Sequence, residues 1–511
     1  MVMRTLTVAV ASVLLAACTV GPDYVRPNLP AVDQFSNSAS PQAAQEATPA
    51  VDLEFWRSFG DPVLEQLVDE ALLSNHDLRI ALAHYEQANA LLRNAKFDRV
   101  PDLSVNADAS DTRSSSDQLP GVDRPGRDND QYSVGISALW ELDFFGRIRR
   151  GIEAQRAETE ASAADLAAVQ VVLVGDVAET YFRLRGLQEQ LRIAQQNADN
   201  QAQTLRLINL RTSAGLSSSF EVDRASTQLE NTRSRVPALQ SAISVATHRI
   251  AVLVGKTPET VLAGLDAATP LPSLPETIVT GTPADLLRRR PDVTAAERRL
   301  GAATARIGVA TADLFPRFTL GGLIGTQALD AGALFERDSE TRLIAFGIDG
   351  SFLNVGRVRS RIAAANAATA ADLAAYEQTV LLALEETENA LVRVSRSAQE
   401  NAHLERAAAA GARATATARL RFDNGAIDVL DVLEAERASL QAEDEFAQGR
   451  VRNTVAVVSL YKALAGGWPQ YVPKESTASR QVHKRNYPGL IVTNVPNTEQ
   501  LVGSKSLTSQ G

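Results

Sequence analysis

The stretch GRIRRGIEAQRA, at Gly146–Ala157, returns almost unchanged as GRVRSRIAAANA at Gly356–Ala367, 210 residues further along the chain. The text after it recurs at the same offset. The matching pairs are Leu210 with Leu420, Arg211 with Arg421, and Gly215 with Gly425. A sequence that recurs at a fixed offset over this length indicates an internal duplication, in which each copy forms one structural unit.

The duplication divides the chain into successive segments. Before the repeated phrase the offset becomes 215, as for Pro101 and Pro316, so the first copy has five more residues between its proline and its Gly-Arg. Insertions of this kind lie in surface loops. We expect two repeats, 61–258 and 283–469, each with a helix, a β-hairpin and a long helical hairpin. Residues 259–282, which are rich in proline, are predicted to link the repeats, and the polar residues 470–511 to form a flexible tail.

The N-terminus has the pattern of a secretory signal. Arg4 precedes an apolar run from Leu6 to Leu15, and LAAC then ends at Cys18. We therefore predict that residues 1–17 are a signal peptide with a lipoprotein-type cleavage site, and that residues 18–60 form a lipidated N-terminal segment. Cys18 is the only cysteine in the chain, so it has no disulfide partner there and is predicted to carry covalent lipid. An ordinary signal peptide with a chance cysteine is the alternative.

Charge and hydropathy exclude some partners. The 511 residues carry a formal net charge of -10 without a dense basic run, which argues against nucleic acid. Beyond the signal peptide we expect no stretch with the roughly 18 apolar residues of a membrane helix. Any further crossing of a membrane is therefore expected to use strands.

Each repeat contains two stretches in which apolar and polar residues alternate. These stretches are Leu103–Ser110, Tyr132–Asp143, FTLGGLIG from Phe318, and Ile344–Phe352. A period of two predicts strands, which suit either a soluble sheet with one buried face or an outer membrane barrel. The predicted lipid anchor favours the barrel. Four strands cannot close a barrel alone, so the chain is expected to oligomerise, as an eight-stranded dimer with a filled interior or a twelve-stranded trimer with a pore.

Very long helices are predicted after each repeated phrase. From Arg357 to Phe422 the chain has 66 residues with no proline and one glycine, which as a single helix would span roughly 100 Å at about 1.5 Å per residue. A similar run begins at Arg147. Gly215 and Gly425 then mark turns into second helical runs, at Phe220–Leu253 and Val429–Leu464. A purely structural rod would show the same helical pattern, but it would not need the strands.

Five phrases in order resemble a known family, the TolC-like outer membrane efflux proteins, and in particular their lipid-anchored OprM/NodT branch. The phrases are CTVGPDYVRP from Cys18, FWRSFGDPVLEQLVDEALLSNHDLRIALA from Phe55, LWELDFFGR from Leu139, PADLLRRRPDVTAAERRLGAATARIGVATADLFPRFTL from Pro283, and GAIDVLDVLEAERASL from Gly425. The resemblance covers nearly the whole chain from Cys18 to Pro469 and ends at the tail.

The resemblance implies an α+β membrane protein and a function. Three identical chains would form a twelve-stranded β-barrel in the outer membrane, continuous with a twelve-helix α-barrel in the periplasm. The linker and the terminal segments would form an equatorial band. The assembly would be a passive exit duct for small molecules such as drugs, joined to a periplasmic adaptor and an inner membrane pump of the RND type. Its partners would also include outer membrane lipid, and the lipid on Cys18 would be its only cofactor. Export of protein or polysaccharide is the alternative.

Signatures of catalysis are missing from the sequence. The five histidines show no close ligand spacing, and no Walker-type loop occurs. GLSSSF, from Gly215 to Phe220, contains serines without the strand-elbow-helix frame of a hydrolase. We therefore expect no metal site and no enzyme, and an envelope lipoprotein enzyme is only a remote alternative.

The resemblance also implies a periplasmic aperture. Acidic residues just after the second turn ring it in the family, and the matching residues are Asp431 and Glu434, with Glu221 and Arg224 at the equivalent positions of the first copy. Ile427 stands where the TolC branch can carry a basic residue, so Arg224 is the nearest candidate for a compensating cation. Simple solvation, adaptor contacts, or closure by Leu430 and Leu433 are the alternatives.

Several arginines follow the predicted strands. They are Arg147, Arg149, Arg150, Arg357, Arg359 and Arg361. At the foot of a barrel such side chains can meet either lipid headgroups or neighbouring carboxylates.

Overall fold

The computed structural model describes residues 19–27, 34–37, 54–260, 264–265, 268–275, 278–350 and 353–466. These residues lie in one compact unit, within Met1–Pro469. Cys18, Phe352 and the predicted tail 470–511 lie outside the described residues. The predictions for Cys18 and for the tail therefore remain predictions.

Strands and helices follow one another in the same order in both halves. The first half contains α1 (Pro62–Ser74), α2 (His76–Phe97), β1 (Asp102–Arg113), β2 (Asp128–Leu142), α3 (Arg147–Ser213) and α4 (Ser219–Leu253). The second half contains α5 (Pro283–Arg289), α6 (Pro291–Ala312), β3 (Arg317–Ala328), β4 (Glu340–Asp349), α7 (Val355–Asp423) and α8 (Val429–Ala463). The predicted α+β fold, with two hairpins of strands and two hairpins of long helices, is confirmed.

The four strands form one antiparallel sheet in the order β1-β2-β3-β4. The predicted end of β4 at Phe352 is wrong, because β4 ends at Asp349. Asp349 pairs with Arg317, the first residue of β3. The residue before it, Pro316, has no N–H group for a further ladder bond, so the pairing stops there.

The two faces of the sheet differ in polarity. In the register, Leu103 pairs with Ala138 and Val105 with Ile136, and Ile136 pairs in turn with Ile324. Apart from Arg342, the partner of Ile324 on β4, this face is mainly apolar, yet it is open to the surroundings, with Ile324 75% exposed. The other face carries small and polar groups, such as the Ser104 and Ser137 hydroxyls, which lie 2.7 Å apart. A soluble sheet would cover its apolar face, so this one is suited to lipid.

The helices form a single layer with α3 near its centre. The first half of α3 lies between α2 and α6, and its second half lies between α4 and α8, while α7 packs on α6 and α8. Since α3 has 67 residues and α7 has 69, each spans roughly 100 Å at about 1.5 Å per residue. The layer therefore has two free edges, formed by α2 and α4 on one side and by α7 on the other.

One window of α3 is apolar enough to cross a membrane by length and composition, with a mean hydropathy of 1.5 over 18 residues. The expectation that no stretch beyond the signal peptide reaches that level is therefore wrong. The reason is packing, because 61% of the window is buried inside the protein. A helix that contacts α1, α2, α6 and α8 needs apolar residues on several sides.

Carboxylates pair with most of the arginines at the foot of the sheet. Arg147 contacts Glu141 at 2.6 Å, and Arg149 contacts Asp143 at 3.2 Å. Arg150 contacts Asp23, and Arg361 contacts Asp313. For these four arginines the carboxylate alternative is therefore the one the structure shows.

The FWRSFGDP phrase fixes the N-terminal segment to the helix layer. Phe55 stacks on Tyr461 of α8 with ring centroids 4.8 Å apart, and Phe59 lies 4.9 Å from Phe182 of α3. Asp61 caps α1 through Oδ1, while its Oδ2 accepts a 2.6 Å hydrogen bond from the Tyr181 hydroxyl. Burial, together with this carboxylate, raises the pKa of Tyr181 to about 12. The segment is thus held at the middle of the helix layer.

Two glycines of α3 give a matched test of helix packing. A Cβ on Gly186 would overlap Cγ2 of Val451 on α8, whereas a Cβ on Gly151 would meet nothing within 4 Å. We expect Gly186→Ala to destabilise the protein by about 1–3 kcal/mol through overpacking. Gly151→Ala is expected to stabilise it by about 0.5–1 kcal/mol, because alanine is the better helix former. Thermal unfolding of the detergent-solubilised protein measures both. Equal shifts of the two variants would contradict the close α3–α8 contact.

Candidate functional site at the hairpin tips

The two helical hairpins end in the same type of turn. Gly215 and Gly425 both have positive φ, 75° and 71°. After them the N–H of Leu216 donates to the Arg211 carbonyl at 2.8 Å, and the N–H of Ala426 donates to the Arg421 carbonyl at 2.8 Å. This is the Schellman arrangement, which needs a residue that tolerates the left-handed region. The repeated Leu-Arg and Gly of the sequence therefore produce repeated tips.

Each turn leads into a capped helix. Ser218 and Glu221 form a capping box at the start of α4, with the Glu221 carboxylate accepting from the Ser218 N–H. Asp428 caps α8 by accepting from the Val429 N–H. Glu221, a predicted aperture residue, is thus engaged by its own helix end, where a negative charge is favoured.

An apolar cluster joins the two tips of one chain. It draws on all four long helices, through Ile208, Ala225, Phe422, Val429, Val432 and Leu433. The Arg211 guanidinium covers the cluster, 4.8 Å above the Phe422 ring. Leu433 is only 2% exposed, and Leu430 is partly buried against the same cluster. These leucines therefore hold the hairpins together inside one chain.

A polar groove lies between α4 and α8 beside this cluster. Its volume is about 620 Å³, and Arg224, Glu434 and Arg437 line it. Glu434 contacts Arg437 at 2.7 Å. The hydrogen bond from Arg437, with a smaller contribution from Arg224, lowers the pKa of the Glu434 carboxyl below its ordinary value. Arg224 therefore shares the groove with Glu434, but the direct partner is Arg437.

Sequence reasoning missed Arg437. The signal was available, since Arg437 follows Glu434 by three residues on a predicted helix, a spacing that brings side chains together. Asp431 is exposed and does not line the groove. Within the described part of a single chain we see no ion pair of Asp431 or of Arg224.

A second missed feature is the buried carboxylate of Glu436. Its Oε1 accepts hydrogen bonds from Arg419 of α7 at 2.8 Å and from Thr204 of α3 at 3.1 Å. The carboxylate thereby ties α3, α7 and α8 together just above the tips. No single-helix pattern predicts this contact, because the three residues come from distant parts of the chain.

Among the described residues no group of three or more His, Cys, Asp or Glu is placed to hold a metal.

Comparisons with known proteins agree with this architecture. The family model "Outer membrane efflux protein" matches residues 67–256 and 282–466. The chain is 32% identical to the pyoverdine export outer membrane protein OpmQ of Pseudomonas putida, over 83% of this chain and 90% of that protein. It is also 32% identical to the cation efflux system protein CusC of Escherichia coli O6:H1, over 89% and 97%. The solved structure of the outer-membrane channel OprN superposes with a TM-score of 0.82 and 38% identity, over 88% of this chain and 100% of that one.

The apolar cluster gives a testable difference between neighbouring leucines. Leu433→Ala should destabilise the joined tips by about 2–5 kcal/mol, because Leu433 is fully buried. Leu420 lies close to the same turn but is exposed, so Leu420→Ala should have little effect. The rate of tryptic cleavage near Arg421 measures the opening of the tips. Cleavage of both variants at the parent rate would show that the cluster does not hold the hairpins together.

Proposed function

The chain belongs to the outer membrane efflux protein family, and we propose that three copies of it close into the exit duct of a tripartite efflux system. The duct conducts small molecules passively from the periplasm to the exterior, with no catalysis of its own. A periplasmic adaptor and an inner membrane pump of the RND type supply the cargo and the energy. Its location, like that of the family, is the outer membrane.

The unpaired edges of the sheet are the observation that carries this proposal. The apolar face of the sheet needs lipid, but β1 and β4 are each paired on one side only. In lipid every unpaired N–H or C=O costs several kcal/mol, so β4 of one copy must pair with β1 of the next. The free edges of the helix layer, α7 and α2 with α4, meet in the same way. Two copies would give a barrel filled by side chains, whereas three leave a pore.

We propose that the duct itself does not select among small molecules. Two relatives of equal identity are named for different cargo, pyoverdine and cations. A duct of one architecture that serves both is better explained by selection in the pump than by a binding site in the duct. Neither name favours a protein or a polysaccharide as cargo.

We assign the periplasmic gate to two charges that form no ion pair with the described residues of their own chain. Arg224 lies at the tip groove, and Asp431 lies in the first turn of α8. Their partners are proposed to be the equivalent groups of the neighbouring copy, with Arg224 facing Asp431 of the partner subunit. An exposed ion pair contributes about 0.2–1 kcal/mol. Three symmetric pairs then bias the closed state by about 0.6–3 kcal/mol, which corresponds to roughly 3- to 150-fold.

Conductance measures this gate. Arg224→Glu should raise the open fraction of single channels in planar bilayers, because it replaces attraction with repulsion at all three contacts. Neutralising Asp431 and Glu434 together should weaken the cation selectivity. Arg233→Glu is the matched control, since Arg233 is an exposed arginine of the same helix that contacts Glu230 of its own turn at 2.9 Å. If Arg224→Glu and Arg233→Glu both conduct like the parent, the gate is not electrostatic.

Two neighbouring residues of β3 test the barrel. Native mass spectrometry of the detergent-solubilised parent should give a trimer. Ile324 lies on the apolar face and Leu323 on the polar one, so Ile324→Arg should reduce the inserted trimer, because the added charge would face lipid directly opposite Arg342 of β4. Leu323→Arg should assemble and change the conductance instead. A folded, inserted monomer of the parent, or equal losses for the two variants, would refute the proposed barrel.

A further inference from the structure

Residues 19–27 form a strap that lies on α6 and the start of α3. The Val20 N–H donates to the Phe145 carbonyl at 3.2 Å. Arg150, whose side chain is 4% exposed, donates to the Val20 carbonyl at 3.2 Å and to Asp23 at 2.6 Å. At Gly21 the strap touches Gly308 backbone to backbone, so closely that any Cβ on Gly21 would overlap the Gly308 Cα. The strap is therefore held by both charge and shape.

Only one of the two repeats has the residues that receive the strap. The residue of repeat 1 that matches Gly308 is Arg93, 215 residues earlier, and the residue of repeat 2 that matches Arg150 is Ser360, 210 residues later. An arginine side chain at the equivalent of Gly308 would block the close approach of the strap. A serine at the equivalent of Arg150 is too short to reach both the Val20 carbonyl and Asp23. Each chain thus directs its N-terminus to a single position at the foot of the sheet.

The strap brings the N-terminus to the end of β2. A Cβ on Gly146 would lie 3.1 Å from the Cα of Thr19, and β2 ends four residues before Gly146, at Leu142. Cys18 is one peptide away from Thr19, or about 3.8 Å between Cα atoms. Thr19, the residue after Cys18, therefore lies at the foot of the sheet, close to the end of β2.

A strip of aromatic rings, of which Phe144 and Phe346 are exposed and Phe318 is partly exposed, begins at this point. Phe144 lies 5.1 Å from Phe318, and Phe318 lies 6.0 Å from Phe346, as ring centroids. The register places Phe318 and its partner Ile348 on the apolar face. Phe346 is 60% exposed. These four residues, Phe144, Phe318, Phe346 and Ile348, are called the aromatic strip below.

Charges mark the other side of the strip. Arg147 and Arg149 come three and five residues after Phe144, and each contacts a carboxylate of its own chain. The boundary between polar and apolar surface therefore passes between Phe144 and Arg147. A lipid attached near this boundary could keep its polar head beside the charged residues and lay its acyl chains on the rings.

We propose that the aromatic strip is the seat of an acyl chain carried by Cys18, and that the strap holds the chain there. This inference rests on the acylation of Cys18 that the sequence predicts. Because a single acyl chain gives only marginal membrane binding, and the barrel already holds the protein in the membrane, the seat fixes the position of the N-terminus rather than the attachment. Acyl chains dispersed in the bilayer are the alternative that the test distinguishes.

Photo-cross-linking locates the chain. Cells that express the full-length protein are fed a palmitic acid analogue with a diazirine group, irradiated, and the purified trimer is digested for mass spectrometry. We expect acyl-modified Cys18 cross-linked to peptides that contain Phe144, Phe318 or Phe346. Gly21→Val should retain the acylated Cys18 but lose these cross-links, because the side chain lifts the strap off Gly308. Arg150→Gln should lose them as well.

A glycine with the same backbone strain but no neighbour supplies the control. Gly121 also has positive φ, 86°, and a Cβ there would meet nothing within 4 Å, so Gly121→Val should cross-link like the parent. Acylated Cys18 that cross-links only to bulk lipid or to other strands would overturn the seat alone. Strip cross-links that persist in both Gly21→Val and Arg150→Gln would overturn the role of the strap. An unmodified Cys18 would overturn the lipoprotein proposal, and the seat with it.

Discussion

A sheet in lipid cannot leave its edges unpaired, and the rest of this chain is organised around that requirement. Its four strands present an uncovered apolar face and two open edges, a combination that is stable only when neighbouring copies complete the hydrogen-bond ladder. The helix layer repeats the problem in water, since apolar residues such as Leu381 of α7 and Val245 of α4 are exposed along its free edges. A single chain is thus one sector of a closed structure.

The two repeats together provide the strands and helices of one sector. The differences between the repeats show where the two halves of the chain have separate roles. Both copies keep the glycine turn and the strand pair. They differ at Arg150 and Gly308, whose counterparts are Ser360 and Arg93, and only one copy can therefore receive the strap. A closed trimer has six equivalent positions at the foot of its barrel, but it has three N-termini. Because only one repeat can receive the strap, each of the three N-termini has a single position available to it.

Local pattern predicted most of the architecture, while tertiary contacts decided the rest. The lack of proline from Arg357 to Phe422 fixed α7 to within a few residues of Val355–Asp423. The end of β4 was missed in its own sequence pattern, because Pro316, just before the neighbouring strand β3, determines it. The apolar window of α3 was missed for a similar reason, since its residues face four different helices. At the tips, Glu434 and Arg224 do share a groove, but the pairing of Glu434 with Arg437 and the three-helix contact of Glu436 emerge only from the fold.

The tip contacts also limit how a duct of this kind can open. The cluster around Leu433 and the carboxylate of Glu436 bind α3, α7 and α8 of one chain together, and Ala225 adds α4 to the same cluster. Breaking these contacts would expose several buried apolar side chains, at about 1.5–3 kcal/mol each. Separating the tips of neighbouring chains would instead break the proposed pairs of Arg224 with Asp431, at about 0.2–1 kcal/mol each. On this proposal, the motion that requires less free energy moves each chain's pair of hairpins as one body, and the aperture widens along the boundaries between chains.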